Sequence, residues 1–589
     1  MTDSVREKWI LQTKKEDFYQ LASQLGISPL IVRCMVNRDV RSFEAMQKYL
    51  HGSLSDLYDP YLLKDVDKSV GILKNACQKK QKIAIASDFD CDGIFSGYLL
   101  WRAFGRIGLD ARIFTPDRVL EGYGLNARIV EEAVEQNREV LVTCDNGIAA
   151  NEAIELAKEK GLTVIVTDHH EVQERMPVAD AVVDPKRPDE TYPFSGLCGA
   201  GVAFKLIQAL YRSCGIPEEE TESLLEYVAI ATVADVMELK DENRILVKEG
   251  LRRLEKTQNI GLRELLKVQN LDGRTINAGH VGFIIGPCFN AAGRIATVRE
   301  SFDLLMESDE TKAGQRALRL KEINESRKEM TEQGTERALK IVEQKRDLSG
   351  RLPDILTILV PDVHESLVGI IAGRIKEKYY HPTIVFTRVG DGLIKGSGRS
   401  LDSYHMFQKL MKCKDLMVHF GGHKMAAGMT MRESDFLEFE RRLNTNSGLT
   451  DEDFCPVVKI DAPMPIGYVT ERLIEEFSFM EPFGVGNPKP IFAEQHFKIL
   501  RARALGKEKN ILKLRVRNER GSECDAMMFR GKEEFEAFVV ENWGEAELQR
   551  MYQGKENYLD VAFTYFPSVN EYQGNRTIQI EIIGYCRVG

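Results

Sequence analysis

No run of about 18 apolar residues occurs anywhere in the 589-residue chain, so no transmembrane helix is expected. The first residues, Met1 to Lys8, lack the apolar core of an export signal, and a cytoplasmic location is expected. None of the eleven cysteines stands in a Cys-x-x-Cys pair. That spacing disfavours a cysteine-type zinc site, and the odd, dispersed set fits reduced thiols better than a disulfide framework. Gly-Lys-Ser/Thr at phosphate-loop spacing is missing too, which excludes a Walker nucleotide site. A net positive charge is also absent: the formal charge is −10. That total does not exclude a grip on nucleic acid, because clustered carboxylates concentrate acid locally and bound cations would offset it. No internal repeat or low-complexity tract interrupts the chain.

Acidic and histidine clusters are what the chain does have. They read Asp88-Phe-Asp90-Cys-Asp92-Gly93, Asp145-Asn-Gly147, Asp168-His169-His170, and Asp235 in Ala-Thr-Val-Ala-Asp, with Phe289-Asn-Ala-Ala-Gly-Arg294 further on. Carboxylates held close repel one another unless a cation sits between them. Mixed Asp/His donors favour Mn²⁺ or Mg²⁺, and two such ions about 4 Å apart suit phosphodiester hydrolysis.

The surrounding pattern places these clusters. Ile83 and Ile85 mark a short strand ending at Ser87, Val140 to Thr143 a buried strand, and Leu162 to Val166 a third. Helical spacing separates them, through Tyr98, Leu99 and Trp101, through Ala127 to Val134, and from Ala149 to Lys160. Strand–helix alternation predicts a parallel α/β sheet, whose ligands bind beyond the carboxyl ends of the strands. Three strands would thus deliver Asp88 to Asp92, Asp145, and Asp168 to His170 to one edge. Residues 1–55 read as short helices and 56–215 as the α/β domain. Residues 216–345 read as its helical part, with a connector helix from Leu320 to Lys345. A second, smaller α/β domain spans 346–454, with strands at Ile355 to Val360 and Thr383 to Phe386 and a helix from Leu367 to Tyr379. Residues 455–589 alternate as a small β-barrel does.

Each motif has a plain alternative. The Asp88–Asp92 loop binds metal or caps the next helix, and Asp145-Asn-Gly is a ligand site or a turn. Asp235 would be costly if buried and unpaired, which a metal or an N-cap position would explain. Arg118, Arg294 and Arg399 each sit in a loop with glycine or small neighbours, as phosphate contacts or surface arginines. Ser397 and Arg399 follow a strand, where backbone N–H groups and a guanidinium can hold a terminal phosphate. His423, inside Gly421-Gly-His-Lys-Met-Ala-Ala-Gly428, is a phosphate contact or a packed ring. Lys513, Arg515 and Arg517 give one strand a basic face, and Tyr565, Phe566 and Tyr572 are near in sequence, a combination suited to single-stranded nucleic acid.

Taken together and in this order, these motifs resemble the DHH phosphoesterase superfamily. The Gly421–Gly428 segment looks like the signature of its associated C-terminal domain. Glu121-Gly-Tyr-Gly-Leu125, Gly286-Pro-Cys-Phe-Asn-Ala-Ala-Gly-Arg294, Gly396-Ser-Gly-Arg-Ser400 and Pro482-Phe-Gly-Val-Gly-Asn487 narrow the likeness to its bacterial 5′→3′ exonucleases of single-stranded DNA. The resemblance implies Asp90, Asp92, Asp145, His169 and Asp235 as ligands of two ions, Mn²⁺ or Mg²⁺, with Asp145 bridging. It implies Asp88 as an ancillary acid, Asp168 as a support, and His170 and Arg294 facing the scissile phosphate. Arg118, Ser397 and Arg399 would hold the 5′ phosphate, and Tyr123 would stack near the terminal base. The barrel would be an oligonucleotide-binding (OB) fold. The chain departs from many relatives at Ala86, where they carry a metal-ligating His, and at Cys288, where they carry Arg.

The expectation is therefore a cytoplasmic, metal-dependent exonuclease that degrades single-stranded DNA to mononucleotides in repair and recombination. Single-strand-binding protein and helicases are the partners implied by kinship, and no membrane is involved. A DHH enzyme acting on short oligoribonucleotides or cyclic dinucleotides, or a non-catalytic scaffold, are the alternatives.

Overall fold

The computed structural model describes residues 7–118, 120–173, 175–572 and 574–588, and the side chain of Tyr572 lies outside the description. The chain forms two compact units, Ser53–Phe454 and a discontinuous one that joins the residues up to Gly52 with Cys455–Gly589. Among the described residues no helix is long and apolar enough to cross a membrane.

The Ser53–Phe454 unit begins with a five-stranded, all-parallel sheet. Its order is Asp110–Phe114, Lys82–Ser87, Val140–Cys144, Thr163–Thr167, Ala181–Val183. Ile83, Ile85, Val140, Val142 and Ile165 face one hydrophobic cluster, while Ala84, Leu141, Val164 and Val166 face another. Burial on both faces is why these strands read as continuous apolar runs rather than alternating ones. Parallel pairing puts all the carboxyl ends on one edge, and the three acidic clusters sit there. Helices from Gly199–Ser213 to Arg299–Leu305 cover one face, with Phe95 packed edge-on to Phe289 (4.8 Å) and stacked near Tyr227.

The connector helix is longer than the sequence suggests: it runs Glu310–Gln344, capped by the Asp309 side chain on Lys312 N–H. At about 1.5 Å per residue it is roughly 50 Å long. Its first half packs Ala313, Ala317 and Leu320 into the helical layer. Further along, Gly334 lies so close to the second α/β half that a Cβ there would sit 2.6 Å from Ile371 Cδ1. That half is a mixed sheet ordered Met417–Gly422, Ala426–Arg432, Leu393–Arg399, Thr383–Gly390, Leu356–Leu359, with only the last pair parallel. One local reading is corrected here, and one is made specific. Ser397 and Arg399 lie within a strand rather than after one, and most of the Gly421–Gly428 segment is strand, folded into a hairpin that pairs Gly428 with Ser397.

In the other unit, Phe492–Leu505, Ile511–Arg517, Glu523–Met528, Asn575–Arg587 and Val561–Tyr572 close into a five-stranded barrel through pairing of the first and last. Two helices that strand alternation alone does not reveal, Lys532–Trp543 and Glu545–Gln553, precede the last hairpin and anchor Phe535, Val539 and Met551 in the core. Residues before Gly52 belong to that same core. Ile31, Val32 and Met35 of the Pro29–Asn37 helix share a cluster with Phe492, Leu512 and Phe563. Arg38 and Asn37 both hydrogen-bond Asp461 Oδ1, at 2.9 and 3.0 Å, and Lys8–Leu11 pairs in parallel with Val457–Ile460.

Candidate metal centre and phosphate groove

The first acidic cluster is both a turn and a helix start. Asp90 caps the Cys91–Arg106 helix, its Oδ1 accepting from Gly93 N–H at 3.1 Å. Gly93 is required by crowding, since a Cβ there would lie 2.7 Å from the Asp88 backbone. Asp88 is fully buried, and its Oδ1 accepts from Gly124 N–H at 3.1 Å. Asp92 turns inward and accepts from Gly199 and Ala200 N–H at 2.6 and 2.8 Å. Those N–H groups open the Gly199–Ser213 helix, whose positive end favours a carboxylate.

Asp145 follows the next strand at φ +60°, a conformation that Asp tolerates better than most residues. Asp168 ends the third. Its Oδ1 takes His169 N–H, His170 N–H and His170 Nδ1, the last at 2.7 Å, and its Oδ2 takes Ile148 N–H at 2.9 Å. This locks the two imidazoles in different directions. His170 points Nε2 toward the Tyr123 hydroxyl (3.4 Å), and Tyr123 in turn donates to the Asp145 carbonyl. His169 Nε2 faces three carboxylates from three elements: Asp145 at 3.0 Å, Asp92 at 3.7 Å and Asp235 at 3.8 Å. Asp235 is the C-cap of the Leu225–Ala234 helix, not an N-cap. A carboxylate at the negative end of a helix is disfavoured, which sharpens the need for a cation beside it.

The electrostatics agree. Burial, and then the charges of neighbouring acids, push Asp92 up to about 6 and Asp235 up to about 8, and raise Asp145 well above the usual carboxylate range. Burial and the neighbouring His170 charge depress His169 to about 3, so it is a neutral ring able to ligate. Burial opposes charge on His170, but the Asp168 hydrogen bond and the charges of Asp168, Asp235 and Asp92 together outweigh it and lift His170 to about 9. Asp145 Oδ2, Asp88 Oδ2 and His169 Nδ1 are buried without a hydrogen-bond partner. Orphaned oxygens among repelling carboxylates, beside a neutral imidazole, fit a divalent cation. Two groups of donor atoms lie within 4.8 Å of one another: Asp92, His169 and Asp235, and Asp145, Asp168, His169 and His170. Ala86, one residue before the end of its strand, offers only a methyl group to the surrounding cluster.

A cationic wall adjoins the acids. The Arg118 guanidinium sits 4.6 Å over the Phe89 ring. Arg294 lies in the last turn of the Gly286–Ile295 helix rather than in a loop, and donates to Ser366 O at 2.8 Å. Burial, then the charges of Arg118 and Arg327, lower Arg294 to about 10. Arg399 reaches Ser397 Oγ at 3.0 Å, and both lie over Gly369, where a Cβ would meet them at 2.8 and 2.9 Å. Gly369 is in the first turn of the Val368–Tyr379 helix, so a guanidinium and a hydroxyl converge on that turn. His423 is exposed at the hairpin turn and is not a packed ring.

Three contributors escaped the sequence reading. Asn290 Oδ1 holds Cys91 N–H at 2.9 Å, inside a motif whose arginine drew attention first. Gly369 looks like any glycine in a helix. Arg327 is hidden in the charged connector helix.

Lys513, Arg515 and Arg517 lie on a strand of the barrel, and their basic face is paired with acids of the neighbouring strand. Cross-strand register sets Arg515 opposite Asp525 and Arg517 opposite Glu523. The result is ion pairs at 3.3 Å for Arg515–Asp525, 2.5 Å for Arg517–Glu523 and 2.8 Å for Lys513–Asp525. Arg501 and Arg503, exposed on the preceding strand, extend the cationic side. Tyr565 and Phe566 do not serve as stacking platforms, because both are buried in the barrel core.

With this geometry in hand, the comparisons with known proteins are consistent along the chain. The family models for the DHH family N-terminal domain, the DHHA1 domain and the RecJ OB domain match residues 82–232, 354–445 and 460–584. The single-stranded-DNA-specific exonuclease RecJ of Bacillus subtilis is 35% identical over 536 residues, covering 90% of this chain and 67% of that protein. Its namesake in Haemophilus influenzae is 33% identical over 576 residues, covering 95% and 96%. Among solved structures, RecJ in complex with Mn²⁺ from Thermus thermophilus superposes with a TM-score of 0.82 at 25% identity, over 99% of this chain and 80% of that one. The chain belongs to the RecJ family of the DHH class.

Proposed function

We propose that the protein is a Mn²⁺- or Mg²⁺-dependent exonuclease that hydrolyses single-stranded DNA from its 5′ end to mononucleotides. The observation that carries this reading is His169 Nε2 within 4 Å of three carboxylates from separate elements, with orphaned oxygens around it. Asp92, Asp145, His169 and Asp235 would hold the ions, with Asp90 at the edge of the site. Bound divalent cations supply a hydrolytic nucleophile at neutral pH and neutralise charge that builds on the phosphate.

The remaining residues position the strand. His170, fixed by Asp168 and charged at neutral pH, offers Nε2–H to a phosphate oxygen. Arg294 adds a partly desolvated cation, and its hydrogen bond to Ser366 ties that helix to the second α/β half. Ser397, Arg399 and the helix start at Gly369 take the terminal 5′ phosphate, with Arg118 completing the cradle. A terminal-phosphate site beside the acids makes the enzyme an exonuclease with one polarity. Long single strands, rather than dinucleotides, are the substrate that the OB barrel suits. Roles in repair and recombination, with single-strand-binding protein and helicases as partners in the cytoplasm, belong to the same proposal.

Degradation of 5′-labelled and 3′-labelled single strands tests it. The 5′ label should be released first as a mononucleotide, with Mn²⁺ or Mg²⁺ and not with chelator. Release of the 3′ label first, or cleavage that chelator leaves unchanged, would contradict the reading.

A further inference from the structure

Beside Asp235 the backbone is strained in an unusual way. Val236 adopts φ +60°, the only β-branched residue among the described non-glycine residues with positive φ. A β-branched side chain pays heavily there, and such strain clusters at functional sites. The strain does not place Val236 in the core, for its side chain is 65% exposed. A second anomaly adjoins it. Val281–Ile285 forms a π-helical turn, a rare element often found at functional sites. At its centre Phe283 is 81% exposed. The two elements pack together: a Cβ on Gly282 would lie 3.7 Å from Val233 Cγ1, and one on Gly286 would lie 3.0 Å from the Ala234 Cβ. Phe283 is thus carried on a turn that lies against the last turn of the helix ending in Asp235. The same turn leads directly into the helix that bears Asn290 and Arg294.

We infer that Val236 and Phe283 form an apolar shelf that receives an unpaired nucleobase next to the scissile phosphate. This rests on the exonuclease reading above. Val236 follows Asp235 directly in the chain, and Phe283 lies three residues before the start of the helix that bears Asn290 and Arg294. The flat apolar group that accompanies every backbone phosphate through such a site is a base. Stacking on an aromatic face tolerates any base, which suits a nuclease without sequence preference. In a duplex the base faces are already occupied by their neighbours, so the shelf also favours single strands.

Steady-state hydrolysis of 5′-phosphorylated single strands by the full chain with Mn²⁺ tests the shelf. Phe283→Ala should raise KM about tenfold, the scale of one lost base stack, with a smaller effect on kcat. Phe283→Tyr, which keeps the ring, should restore the wild-type KM. Val236→Gly should raise KM while leaving the thermal midpoint equal or higher, because glycine adopts φ +60° without cost. A single abasic nucleotide walked inward from the 5′ end should penalise the wild type at one position and leave Phe283→Ala unaffected there. An unchanged KM in both variants, or an identical abasic penalty in wild type and Phe283→Ala, would overturn the shelf while the exonuclease reading stands. A wild type that leaves the strand intact would instead sink that reading, and the shelf with it.

Discussion

Asp145 combines three properties that rarely meet in one residue: a left-handed backbone, complete burial and an oxygen with no hydrogen-bond partner. Asp145→Asn keeps the size and tolerates the backbone, so it isolates the charge. Cleavage should fall by more than about 100-fold, the upper range for loss of a mere outer-shell partner. In chelator the variant should be at least as heat-stable as the wild type, because a carboxyl whose charged form burial and neighbouring acids disfavour is replaced by a neutral amide. Parallel activity and thermal-denaturation measurements check both halves of this expectation. At this scale the sequence exposed Asp145, His169 and Asp235 because each breaks an apolar run. It hid Glu523 and Asp525, the partners of Arg515 and Arg517, because strand register rather than spacing sets them opposite. The aromatic residues of the barrel were misjudged for a related reason. Nearness in sequence to a basic strand says nothing about which face of its own strand Tyr565 occupies.

Elements position the groove by close approach, and glycines mark where. At Gly369 a methyl group would meet Arg399 Nη2 at 2.8 Å and Ser397 Oγ at 2.9 Å. Gly369→Ala should leave the helix intact, since alanine is favoured over glycine there by about 1 kcal/mol. The preference for 5′-phosphorylated over 5′-hydroxyl strands should nevertheless fall about tenfold, the worth of one charge-assisted hydrogen bond. Comparing KM for the two substrates in variant and wild type measures it. The parallel strands, the Val368–Tyr379 helix and the connector were legible from periodicity. The ten residues by which the connector starts earlier were not, because Glu310 to Arg319 carries the same charged pattern as a solvated loop. The two helices before the last hairpin of the barrel were also invisible to a reading tuned to alternation.

The whole chain is organised as two units, one of them discontinuous in sequence. Contacts between residues hundreds of positions apart, such as Arg38 with Asp461, leave no local trace, so the shared core of the N-terminal helices and the barrel was not legible. Truncation should reveal it. Residues 53–454 alone should fold and bind Mn²⁺, whereas residues 1–454 should aggregate, because Ile31, Val32 and Met35 lose the barrel that buries them. Size-exclusion chromatography of the two products distinguishes these outcomes. Metal should also stabilise the catalytic unit: a cation at a hundredfold excess over its Kd contributes about 2.7 kcal/mol, and chelator should remove that gain in a thermal melt. The central claim is that carboxylates and an imidazole from separate elements share divalent cations. An anomalous difference map from a crystal soaked in Mn²⁺ and measured at the manganese edge tests it most directly. Peaks should appear among Asp92, Asp145, His169 and Asp235. A map with no peak there, at a Mn²⁺ concentration that supports cleavage, would contradict the account.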